Sequence, residues 1–101
     1  MAQDFSVSKI GEGVWKVEGE LDLATAPAFE EALAAEAGAG DLELDCSGLL
    51  FMDSQGVRSV LLVAAGRPAG RRLVLRGLTA QVRRIVDLVQ LGAAPGVVVE
   101  D

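Results

Sequence analysis

Residues 42–66, LELDCSGLLFMDSQGVRSVLLVAAG, decide how this chain is read. Leu42, Leu44 and Cys46 alternate with Glu43 and Asp45, the two-residue period of a strand with one covered face. Residues 47–51 carry the strand on to an Asp-Ser loop. A helix is expected over about 55–65, stopped by Gly66, Pro68 and Gly70. Strand, polar loop and apolar helix in this order open a strand–helix–strand crossover. Ser54 then stands at the mouth of a helix, where backbone N–H groups lack partners and an anion is favoured. Its hydroxyl could cap the helix, attack a substrate or receive a phosphate. Asp53 could share the cap or take it over, which would leave that hydroxyl free.

Working outward, the downstream sequence continues the alternation of strand and helix. Leu73, Val74 and Leu75 make a short buried strand. Thr79 caps a third helix, in which Val82, Ile85, Val86 and Val89 fall at i, i+3, i+4 and i+7. Gly92 and Pro95 end it, and residues 97–99 form a last strand. Upstream, Phe5 and Val7 alternate with polar residues, and Gly11-Glu12-Gly13 reads as a turn. Residues 14–21 form a second strand, paired with the first in a hairpin. Thr25 caps a first helix with Pro27 in its opening turn. Phe29 and Leu33 stand four apart, Ala26 and Ala37 extend their stripe, and Glu30, Glu31 and Glu36 point elsewhere. Gly38 and Gly40 end this helix. The order is ββαβαβαβ. This predicts an α/β fold in one domain, residues 1–101, with a mixed, mostly parallel sheet and helices packed on it.

The helix after Ser54 is apolar nearly all round. Val57, Val60, Leu61 and Ala64 form one stripe expected to pack on the sheet, but Leu62, Val63 and Ala65 are apolar too. An outer line runs through Ser54, Arg58, Leu62 and Ala65. Such a helix is either buried on both sides or offers a sticky face to a partner; complete burial is difficult in so small a domain, so the outer line is expected to face a partner. A weak homodimer through the same helix is an open alternative.

Composition narrows the chemistry. The chain has 101 residues, half of them apolar, and a formal net charge of −6. Negative charge argues against direct nucleic-acid binding. The longest apolar run, residues 60–65, is too short for membrane insertion. No signal peptide is visible and Cys46 is the one cysteine, which fits a cytoplasmic setting. Histidine is absent, so imidazole catalysis and His-containing metal sites are excluded. A nucleophilic serine needs a base within reach, and none is apparent. The stretch MDSQG also lacks the glycine two residues before serine that marks a nucleophile elbow. Asp22 and Asp53 could form an acid–base pair, though nothing in the sequence fixes their separation. The glycines lack the Lys-Ser/Thr of a phosphate-binding loop. No catalytic residue, metal site or cofactor is expected, and the chain reads as a non-enzyme.

GELDLATA at 19–26 and LDCSGLLFMDSQGV at 44–57 resemble the two signature blocks of STAS-domain proteins, in particular bacterial anti-sigma factor antagonists. LRGLTAQVRRIVDL at 75–88 is similar to the last helix of that family. The resemblance covers nearly the whole chain. It implies a partner-switching regulator of transcription. The unphosphorylated form binds an anti-sigma factor that is also an ATP-dependent serine kinase, and this frees the sigma factor. The kinase phosphorylates the serine of the Asp-Ser loop, which breaks the complex, and a serine phosphatase reverses the step. The matching serine is Ser54, preceded by Asp53. Asp22 matches a position beside that loop. The implied partner-binding residues are Asp22, Thr25, Asp53, Ser54, Gln55, Gly56, Arg58 and Leu62. Gln55 stands where many members carry a second serine. The resemblance also admits a STAS docking subunit of a bacterial lipid-transport ABC complex, or of a stress-signalling scaffold, in which Ser54 need never be phosphorylated.

Overall fold

The structure, a computed structural model, describes residues 5–36 and 40–100. Strands β1 (Ser6–Gly11) and β2 (Val14–Leu21) form the antiparallel hairpin expected around Gly11-Glu12-Gly13. Helix α1 (Ala26–Ala34), strand β3 (Leu42–Met52), helix α2 (Ser54–Ala65), strand β4 (Leu73–Arg76) and helix α3 (Ala80–Leu88) follow. A 3-10 turn at Leu91–Ala93 leads into β5 (Val97–Glu100). The sheet order is β1-β2-β3-β4-β5, antiparallel at the hairpin and parallel from β2 to β5. This is the mixed, mostly parallel α/β fold read from the sequence. Residues of all three helices join the strands in one core, so the helices share one face of the sheet. The opposite face carries charge instead, with Arg76 bridging Glu43 at 3.1 Å and Glu100 at 3.4 Å.

The core lies between that sheet and its helices. Phe29 and Leu33 of α1, Val60 of α2, and Val82 and Val86 of α3 close over Val17, Leu21, Leu42, Leu44, Leu73 and Leu75. Truncating a buried aromatic such as Phe29 to alanine costs about 3–5 kcal/mol in sites of this kind.

β3 is longer than its plain alternation predicts, and the reason is two bulges against β2. The pairing shifts once between Lys16↔Asp45 and Glu18↔Gly48, and again between Gly19↔Leu49 and Glu20↔Phe51. Each extra residue resets the phase, so Leu42, Leu44, Cys46, Leu49 and Met52 all point to the core despite uneven spacing. Gly19 takes φ 100° beside the second shift, a conformation that favours glycine. The bulges let β3 stay in register with β2 up to Leu21↔Met52. The loops that follow the two strands therefore emerge side by side.

Several boundaries differ from the sequence reading. α1 stops at Ala34, capped at Ala35, one turn before the glycines expected to end it. The expectations at Ala37 and Gly38 lie outside the described residues. Glu30 and Glu36 do not point away from the packed layers: the buried Ser59 of α2 donates to Glu30, and Glu36 accepts from Trp15 Nε1 at 3.1 Å and Lys9 Nζ at 3.3 Å. Leu61, expected on the packed stripe of α2, is 40% exposed, whereas Val63 is buried. The cause is a second contact: α2 leans on α1 as well as on the sheet, which rotates its covered arc toward Ser59 and Val63. Val89, expected on the α3 stripe, follows the last helical residue and is 50% exposed.

Candidate functional site

β2 and β3 run parallel and end together, so the loop after Leu21 and the loop after Met52 share one end of the sheet. Ligand-contacting loops of open parallel sheets commonly gather at this end. The backbone N–H of Asp53 donates to the Leu21 carbonyl at 3.3 Å, tying the two loops together.

Asp53 is the cap of α2. Its carboxylate Oδ1 accepts from the N–H of Gln55 at 2.9 Å and of Gly56 at 3.1 Å, satisfying two of the unpartnered donors at the helix start. Ser54 becomes the first helical residue rather than the cap, and α2 begins one residue earlier than expected. Ser54 is exposed, and its hydroxyl makes no hydrogen bond among the described residues. Of the uses open to it, capping is thereby removed.

Gly56 is fixed by packing. A Cβ there would lie 2.5 Å from Met52 Cγ and 2.6 Å from the Leu21 carbonyl oxygen. Only glycine lets the first turn of α2 sit this close to the end of β2. Gln55 is half-buried and Arg58 exposed. Arg58, Leu61, Leu62 and Ala65 continue from Ser54 as an uncovered side of α2, with Leu62 46% exposed.

The neighbouring loop is built on Asp22. Its Oδ1 accepts from the N–H of Ala24 at 3.0 Å and of Thr25 at 3.2 Å. Thr25, expected to cap α1, makes no side-chain cap bond. Its hydroxyl turns back instead, donating to the Glu20 carbonyl at 2.7 Å and accepting from the Asp22 N–H at 3.0 Å. The turn carboxylate of Asp22 holds the amides at that start, so the threonine is free to lock the end of β2. Leu23, between them, is 71% exposed and was not singled out by the sequence reading. Its only signal was an apolar residue placed directly after Asp22 in a polar turn.

The sequence-selected residues thus fall into two kinds. Ser54, Arg58 and Leu62 present exposed side chains along one helix. Asp22, Thr25, Asp53 and Gly56 shape the two loops from behind. Elsewhere, burial pushes the Cys46 thiol up to about 12, which leaves it a core residue without nucleophilic use. Among the described residues no group of three His, Cys, Asp or Glu side chains could hold a metal ion. No helix among them is long and apolar enough to cross a membrane.

A family model described as "Mlab, STAS domain" matches residues 7–100. No curated protein matches the chain. Solved structures similar in fold include the following three. The anti-sigma factor antagonist SpoIIAA in its unphosphorylated form shares 21% identity at TM-score 0.73, covering 97% of this chain and 89% of that one. An anti-sigma factor antagonist from Mycobacterium paratuberculosis shares 24% at 0.75, covering 96% and 86%. The protein TM1081, solved by NMR, shares 21% at 0.72, covering 92% and 78%.

Proposed function

The chain belongs to the STAS-domain family, and on that premise we propose that it is an anti-sigma factor antagonist switched by phosphorylation of Ser54. In its unphosphorylated form it binds an anti-sigma factor that is also an ATP-dependent serine kinase, and so frees a sigma factor. The kinase then modifies Ser54, the complex parts, and a serine phosphatase restores the first state. The chain itself is no enzyme and contacts neither nucleic acid nor the membrane interior.

One observation carries this reading: Asp53 holds the helix cap, and Ser54 is left exposed beside it with an unengaged hydroxyl. Serines at helix starts usually cap; this one does not. A phosphoserine there adds about −1.5 to −2 charges next to Asp53. In the free protein the N-terminus of α2 favours that charge, so the fold survives modification. In a complex the dianion is desolvated against the partner. A penalty of about 3 kcal/mol weakens binding on the order of a hundredfold, enough to exchange partners. The exposed side of α2 from Arg58 to Leu62, with Asp22, Thr25, Gln55 and Gly56 shaping the rim, forms the contact surface in this reading.

Pull-down and calorimetry with the anti-sigma kinase encoded nearest to this gene test the proposal. Ser54→Ala should bind and resist release by ATP, and Ser54→Asp should bind on the order of a hundredfold more weakly. Equal binding by Ser54→Asp and the parent would defeat the switch.

A second reading is a docking subunit of a lipid-transport ABC complex, favoured by the Mlab description of the matching family model. The same apolar side of α2 then docks without any modification. A parent protein that keeps its full affinity for that complex as Ser54→Asp, and that no kinase modifies, would decide for this second reading.

A further inference from the structure

Between α1 and α2 lies a groove of about 240 Å³ that the Ser54 reading does not use. Leu33, Leu62 and Val63 give it apolar walls, and Glu30, Glu36 and Arg67 give it charge. Two of those three charged groups are spoken for. Both Glu36 oxygens are engaged, Oε1 by Lys9 and Oε2 by Trp15. The Arg67 guanidinium donates to the carbonyls of Glu36 at 3.1 Å and Gly40 at 2.8 Å. Glu30 differs. Its Oε2 accepts from the hydroxyl of Ser59, a polar residue 1% exposed on α2, and this fixes the carboxylate at the groove. Its Oε1 has no partner among the described residues. The groove therefore presents one oriented, half-free carboxylate beside an apolar slot, with the Arg67 cation in its lining set against the Glu36 carboxylate.

We propose that this groove receives an arginine side chain of the protein partner, its stem lying on Leu33, Leu62 and Val63 and its guanidinium on Glu30. The flat, weakly hydrated guanidinium suits a slot between two helices better than a compact ammonium ion does. A bond from it to the carboxylate is charge-assisted and adds direction to the apolar contact. The groove is also continuous with the surface proposed above, because Leu62 belongs both to its wall and to the exposed side of α2. Glu30 is anchored by Ser59, which is buried against α1, so the groove lies on a different flank of α2 from the exposed hydroxyl of Ser54. The inference deepens the partner-binding reading and rests on it for the identity of the occupant.

The test uses the full chain and n-butylguanidinium as the probe, followed by amide NMR shifts. Saturable shifts at Leu33, Leu62 and Val63 are expected at millimolar probe. Glu30→Gln, which keeps an acceptor for Ser59, should weaken the probe roughly tenfold through loss of the charged hydrogen bond. Leu62→Ala should weaken it also, and butyrate should not bind. Absence of saturable shifts, equal binding of butyrate, or an unchanged affinity in Glu30→Gln overturns the proposal. Neither kinase nor ATP enters this titration, so its failure is separate from failure of the Ser54 switch. A switch that works with the groove unoccupied would refute the groove alone.

Discussion

Asp53 and Ser54 divide between them two tasks that one serine usually combines. The carboxylate takes the unpartnered amides and the hydroxyl is left outside. Removing the cap has a definite cost: Asp53→Ala should lose about 0.5–2 kcal/mol of stability. Gly56→Ala should lose more, because the added methyl meets the Leu21 carbonyl oxygen at 2.6 Å and backbone cannot yield as a side-chain tip does. Urea unfolding followed by the fluorescence of Trp15 gives both values. A Gly56→Ala variant as stable as the parent would show that α2 does not sit this tightly on β2.

At the scale of elements, α2 serves three surfaces at once. Val60 and Ala64 face the sheet, Ser59 and Val63 reach α1, and Leu61 and Leu62 are left at the surface. The stability cost of substitution should follow that division. Val60→Ala should cost about 2 kcal/mol, while Leu62→Ser should stay within about 0.5 kcal/mol. Leu62→Ser should nevertheless weaken partner binding in the pull-down, which separates a docking residue from a core residue. The sequence shows that this helix has too much apolar surface for one contact, but its period cannot say which flank the neighbouring helix covers. Leu61 and Val63 exchange roles for that reason. The strands show the same limit. Leu42, Leu44 and Cys46 are legible as an alternating face, and Leu49 and Met52 are not, because each bulge adds a residue that no local pattern announces. Capping is legible as a set of candidates, Asp22, Thr25, Asp53 and Ser54. Which member takes the amides is decided by how the loops lie against the end of β2.

At the scale of the whole molecule, acid should loosen the hairpin and helix layers where Glu36 joins them. The hydrogen bond from Trp15, aided by Lys9, holds the Glu36 carboxyl below its ordinary value of 4.5. A carboxylate whose pKa is lower in the folded state stabilises that state above its unfolded value. The contribution is lost as pH falls from there through the folded value. Stability should therefore drop on acidification below the ordinary glutamate range, and Glu36→Gln should flatten the drop. Urea midpoints measured across that window decide it, and a slope unchanged in Glu36→Gln would assign acid loss to other carboxylates. The fold as a whole leaves one end of two parallel strands bearing Asp22, Leu23 and Ser54 beside a partly uncovered helix, an arrangement suited to docking and to reversal by charge. The most direct test of that account is intact mass after incubation with ATP and a candidate anti-sigma kinase. The account predicts the mass of a single added phosphoryl group on the parent and none on Ser54→Ala; an unmodified parent, or a Ser54→Ala chain that still gains the phosphoryl group, would contradict it.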